Sequence, residues 1–250
     1  MNDNLYAFLL MLGDNSMILG HRLSELCGHG PNLETDIALT NISLDLFGQV
    51  RSYFHYAAEL KGGDATEDSV AFLREERNYL NVLLVEQKNI DFAHVIGRQF
   101  LFDAFHLPLL EFLIMSKNET ISAIANKSIK EVKYHIRFSS DWVKRLGGGT
   151  KESHHKMQTA IDLLYPFSEE LFQITEVEDE MKNQGIGADL EIVKTKFETK
   201  TSEIFNEVGL TKPETRRLYD KGKMGIHSEH LGFILAQLQF MQRAYPDMEW

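Results

Sequence analysis

The sequence predicts an all-α protein, and three observations carry that prediction. Apolar residues recur three and four positions apart over long stretches, as one face of a helix requires. Only five prolines interrupt 250 residues, so helices can run long. Glycines cluster at wide intervals (Gly28 and Gly30, Gly62 and Gly63, Gly147 to Gly149), where helix ends are expected. No segment reads as a strand, and no Gly-rich phosphate loop follows one.

The elements follow in order. The first helix runs from about Leu5 to Leu26, the second from about Leu33 to Lys61. Asp64 or Thr66 caps a third that reaches about Glu86. A fourth spans about Asp91 to Met115, with Pro108 inside it as a kink. The fifth opens at Asn118 and stops at Gly147, and the sixth spans about Ser153 to Phe172. Residues 173–188 are acidic and poor in apolar periodicity, which reads as a loop. Helices near 189–208 and 226–243 finish the chain. The whole reads as one domain over 1–250, with a four-helix core at about 33–146 and added helices on either side.

A formal charge of −11 argues against a nucleic-acid surface and against attraction to anionic membranes. The single cysteine, Cys27, leaves no partner for an internal disulfide and no Cys-based metal site, which fits a reducing compartment. The apolar run from Leu5 to Leu12 lacks a basic flank and reads as a helix face instead of a signal peptide. No stretch approaches the roughly 20 apolar residues of a membrane span. A cytoplasmic location is expected.

Three acids stand where apolar residues belong, and a fourth, Asp45, faces solvent or a polar bundle interior. In the nearly all-apolar fourth helix, Asp103 and His106 share a face at i, i+3. Glu131 and Glu76 sit on apolar stripes of the fifth and third helices, and Asp45 lies on a stripe of small and polar residues (Ala38, Asn41, Gly48, Ser52). Asp45 and Glu76 are 31 residues apart, Asp103 and Glu131 28, each the length of one helical hairpin. Ferritin-like di-iron proteins use such a doubled hairpin, with one acid and then Glu-x-x-His in each half. Here both histidine positions are tyrosine, Tyr79 and Tyr134. Four carboxylates without imidazoles make a poor iron site, so Asp45, Glu76, Tyr79, Asp103, Glu131 and Tyr134 read as remnant di-iron positions. A second arrangement stays open: His106 and His135 lie close to the template positions and could ligate in a shifted site. The plainer account of any single acid is an ion pair, for which Arg74, Arg77, Arg98, Lys130 and Arg137 are at hand.

The stretches CGHGPNLETDIALTNISLDLFGQ (27–49), EVKYHIRFS (131–139) and GIHSEHLG (225–232) resemble the C-subunit family of the bacterial phenylacetyl-CoA ring epoxidases. The similarity runs from the first helix to the C-terminus and is weakest over 173–215. It implies a ferritin-like, non-catalytic subunit that stabilises a related catalytic A subunit. That A subunit would hold the di-iron centre and bind the CoA thioester, while a dedicated reductase passes electrons from NADPH for epoxidation with O2. No cofactor is then expected in this chain, and the A subunit, the reductase and the other oxygenase components are its expected partners. Tyr79 and Tyr134 agree with the non-catalytic assignment.

Two features remain. His227, Glu229 and His230 form a glycine-bracketed cluster that reads as a cap or a contact between subunits ahead of a metal or acid–base site. The aromatic excess of the second helix (Phe47, Tyr53, Phe54, Tyr56) suggests faces buried against a related bundle, and such faces also allow a homodimer.

Overall fold

The computed structural model describes residues 3–214, 220–246 and 248. Among them the chain is all helix and turn, with no strand. Four long helices form the ferritin-like core: α1 (Asp3–Ser24), α2 (Leu33–Lys61), α5 (Phe92–Leu113) and α6 (Glu119–Gly147). Their starts follow from side-chain caps: Asn32 accepts from the Thr35 amide, Asp91 from His94 and Asn118 from Ile121. Gly62, with φ of 70°, closes α2 in a backbone region other residues avoid.

α1 packs on α2, α2 on α6 and α6 on α5. The ring closes where Phe8 and Leu12 of α1 line a small cavity with Phe105 and Leu109 of α5. α1 and α2 pair closely because Gly13 lies under the Phe54 ring and Gly20 under Phe47; a Cβ on Gly13 would stand within the Phe54 ring's contact distance. α5 is buried on nearly every side, wrapped by α6, α7 (Lys151–Ser168) and α9 (Leu190–Val208). It continues through Pro108.

Three expectations are corrected. The helix expected from Thr66 to Glu86 is only α3 (Glu67–Phe72), a 3₁₀ turn at Glu76–Asn78, an extended stretch and α4 (Leu83–Glu86). The cause is in α1, whose buried Asp14 and Asn15 accept hydrogen bonds from the Leu80 and Val82 amides at 2.8 Å. Those side chains replace the carbonyls a helix would supply. The fourth core helix is therefore α1, and the bundle begins near residue 3 instead of 33. The expected loop at 173–188 contains α8 (Glu176–Asn183), started by a capping box between Thr175 and Glu178 and anchored by buried Met181. The last helix is two, α10 (Glu229–Leu238) and α11 (Phe240–Ala244), meeting at Gln239, whose amide turns inward to Arg74 O and the Tyr79 hydroxyl. One continuous apolar cluster runs from Leu5 to Leu235. No helix among the described residues is long and apolar enough to cross a membrane.

Candidate functional site

The polar interior of the bundle lies where α2, α5 and α6 face one another. Asp103 of α5 is fully buried; Gln99 donates to its Oδ1 at 2.7 Å and Ser139 to its Oδ2 at 2.8 Å. Neither partner is a cation. Burial pushes the Asp103 carboxyl up to about 7, against the smaller pull of His135, Ser139 and Gln99. His135 of α6 is fully buried and its Nε2 meets the half-buried Asp45 Oδ2 at 2.9 Å. His106, one turn beyond Asp103, packs its ring against Phe102 at 5.1 Å; burial, with His135 nearby, holds it down at about 3, so it is neutral. Glu131, half-buried, is raised by burial first and then by Asp45, while His135 and Lys127 oppose the shift. Gln49 also lies beside Glu131, yet neither of its amide atoms makes a hydrogen bond of normal geometry.

The other expected positions are elsewhere. Glu76 is exposed on the 3₁₀ turn, because the helix meant to carry it inward does not form. Tyr79 is buried but donates to Ala71 O at 2.7 Å and lies under the Arg74 guanidinium, 4.1 Å from ring centre to Cζ. Tyr134 is 38% exposed and stacks beside Phe138 and Arg137 on the outside of α6. The grouping expected from spacing therefore keeps Asp45, Asp103 and Glu131 around His135 and loses Glu76, Tyr79 and Tyr134.

An acid absent from that grouping turns out to be central to packing. Asp14 of α1 is fully buried and forms a bidentate ion pair with Arg74, through Nη1 at 2.9 Å and through Nη2. Burial alone would lower the Arg74 pKa; the Asp14 carboxylate overrides it and holds the group above its usual value. The signal was present in the sequence, since an acid inside a long apolar helix is the feature that singled out Asp103. Asp14 lies at the level of Phe54, about two and a half turns along α2 from Asp45, so the two do not share a site.

Of the C-terminal cluster, His227 is accounted for by hydrogen bonds. His227 is fixed through both ring nitrogens, Nδ1 to Glu86 Oε1 at 2.7 Å and Nε2 to Tyr79 O at 2.8 Å. Ser228 caps α10, accepting from the His230 amide, and its own amide donates to Glu86 Oε2 at 2.9 Å. Glu229 projects to solvent and His230 is 3.9 Å from it. Lys223 is buried against Leu171 O, Gln173 O and Glu178, so this arm is tied down at both ends.

A di-iron centre needs bridging carboxylates with free oxygens and an imidazole for each metal. Here both Asp103 oxygens are engaged, Asp45 is held by His135, and Tyr134 points outward. Among the described residues no three His, Cys, Asp or Glu side chains are placed to share an ion. The donor set does not fit that group. What the arrangement can do is hold a proton on the buried Asp103 near His106 and His135.

Residues 1–250 match the family described as Phenylacetic acid catabolic protein. The chain belongs to this family. Among its curated relatives is the C subunit of the 1,2-phenylacetyl-CoA epoxidase of Escherichia coli (strain K12), 45% identical over 248 residues, which cover 99% of this chain and 100% of that protein. The similarity is therefore not confined to the four-helix core and takes in the added C-terminal helices.

Proposed function

We propose that the chain is the structural, non-catalytic subunit of a phenylacetyl-CoA epoxidase, binding and stabilising the di-iron catalytic subunit in the cytoplasmic degradation of phenylacetate. The reading rests on full-length similarity to an epoxidase C subunit and on one feature of the interior. The acids at the heart of the bundle are satisfied by neutral side chains and by a histidine, at Asp103 and Asp45 respectively. A bundle whose carboxylates bind its own helices is suited to rigidity rather than to oxygen chemistry. Oxidation then belongs to the catalytic subunit with its reductase, and this chain carries no cofactor of its own.

Co-expression with the catalytic subunit, size exclusion and elemental analysis test the reading together. A stable complex whose iron follows the catalytic subunit alone is expected. Near-stoichiometric iron in this chain, lost on changing Asp103 or Glu131, would sink it. That outcome would favour the second reading, a metal-binding oxygenase subunit using His106 and His135. The observation behind it is that Nδ1 of both rings is buried without a hydrogen-bond partner.

A further inference from the structure

A cleft of about 780 Å³ opens between α1, the start of α8 and the C-terminal arm. Ala7 and Met11 of α1, with Leu80, Ile174, Val177 and Met224, give it mainly apolar walls. Small-molecule sites run from roughly 300 to 1,000 Å³ and combine such a lining with a few placed polar groups. The small cavity between Phe8, Leu12, Phe105 and Leu109 adjoins it, because Met11 and Lys223 line both spaces. That cavity holds about 20 Å³, and one water-sized group needs roughly 10–15 Å³. The inner space therefore admits the tip of a ligand whose body occupies the cleft. Met11 is unbranched and turns about three bonds, so it can open the way between them.

The polar groups of the two spaces define what they accept. Asn15, 9% exposed, lines the inner cavity. The Val82 amide donates to its Oδ1 at 2.8 Å, which fixes the orientation of the side chain. Its Nδ2 is left over, with no hydrogen-bond partner among the described residues. The inner end thus offers one spare donor in apolar surroundings, where an unmet donor is costly. Lys223, the cation in both linings, is spent. Its ammonium has three donors, and Leu171 O, Gln173 O and Glu178 take all three. Two acids stand in the cleft: Glu176, exposed and without an ion pair among the described residues, and Asp220, which accepts from Gln173. An anionic ligand would meet repulsion and no free cation.

We propose that this cleft binds an uncharged aryl or acyl carbonyl compound, whose apolar body fills the cleft and whose carbonyl oxygen accepts from Asn15 Nδ2 at the inner end. The site goes beyond the scaffold reading and does not depend on it, since every group it uses belongs to this chain.

The test titrates the full-length chain with acetophenone and with its anionic isostere benzoate, followed by NMR of the Asn15 side-chain amide and the Met11 methyl. Acetophenone is expected to saturate one site and to shift both signals, with benzoate at least tenfold weaker. Ala7→Trp, on the half-exposed wall of the cleft, should weaken acetophenone at least tenfold while melting with the wild-type chain. Ala188→Val narrows the inner cavity and should reduce the Asn15 shift; should this buried substitution misfold, Ala7→Trp still decides the matter. No saturation up to the solubility of acetophenone would overturn the proposal. Saturation that leaves Asn15 unmoved, or that survives Ala7→Trp, would place the probe elsewhere and overturn it too. Benzoate binding as tightly as acetophenone would overturn the uncharged class of ligand.

Discussion

Asp103 accepts two hydrogen bonds from neutral donors and touches no cation, so its ionised form is poorly compensated. Its carboxyl stands at about 7 in the fold against 3.8 for the free side chain. The folded state therefore binds a proton that the unfolded chain releases, and stability falls as pH rises from about 4 to 7. Asp103→Asn should remove this loss, gaining up to about 4 kcal/mol at pH 8 and little at pH 4. Thermal melts across that range check it; parallel curves for the two proteins would show that the carboxyl is not protonated in the fold. Arg74 is the opposite case, a buried cation held by a buried acid. Arg74→Met leaves Asp14 unpaired and should destabilise by roughly 3–5 kcal/mol in a denaturant titration.

At the scale of elements, the segment 74–86 and the C-terminal arm stabilise each other. Glu86, fully buried, accepts from Asn81, His227 and Ser228, and Gln239 of the arm donates to Arg74 O and Tyr79. Burial, the largest single influence, would lower the His227 pKa, but the hydrogen bond and charge of Glu86, with the Tyr79 carbonyl and Asp14, together outweigh it and the group stands above its usual 6.5. A raised histidine adds stability fully below its unfolded pKa and loses it as pH rises through the folded value. Hydrogen exchange in α10 should therefore quicken from about pH 6.5 upward, faster than intrinsic exchange alone accounts for. Glu86→Gln should cost about 1–3 kcal/mol, abolish that pH dependence and free α10 first. Unchanged protection of α10 in this variant would mean the arm is held by apolar packing alone.

For the whole molecule, the proposed scaffold role makes the interior acids structural, so removing one should spare chemistry carried out elsewhere. Asp103→Leu is expected to leave epoxidation by the assembled complex within about twofold of wild type, a change of under about 0.5 kcal/mol in barrier. Loss of turnover in a fully assembled complex would contradict the scaffold role. Size exclusion of the assayed sample separates a complex that fails to form from one that forms and turns over slowly.

Helix content, most helix ends and the burial of Asp103 were legible in the sequence, because caps, glycine stops and 3.6-residue periodicity are local signals. That Asp45, Asp103 and Glu131 lie near one another needed only spacing: His135 pairs with Asp45 and acts on the carboxyls of Asp103 and Glu131. Glu76 and Tyr79 could not be placed that way. Their segment has the composition of a helix, yet Asp14 and Asn15 draw its amides into an extended path, a contact 66 residues distant along the chain. Local propensity is worth tenths of a kcal/mol per residue, and buried charge-assisted hydrogen bonds are worth more. The sequence by itself therefore determined an all-helical bundle with acids in its core; which helix completes the bundle, and what each acid binds, was decided by tertiary contacts alone.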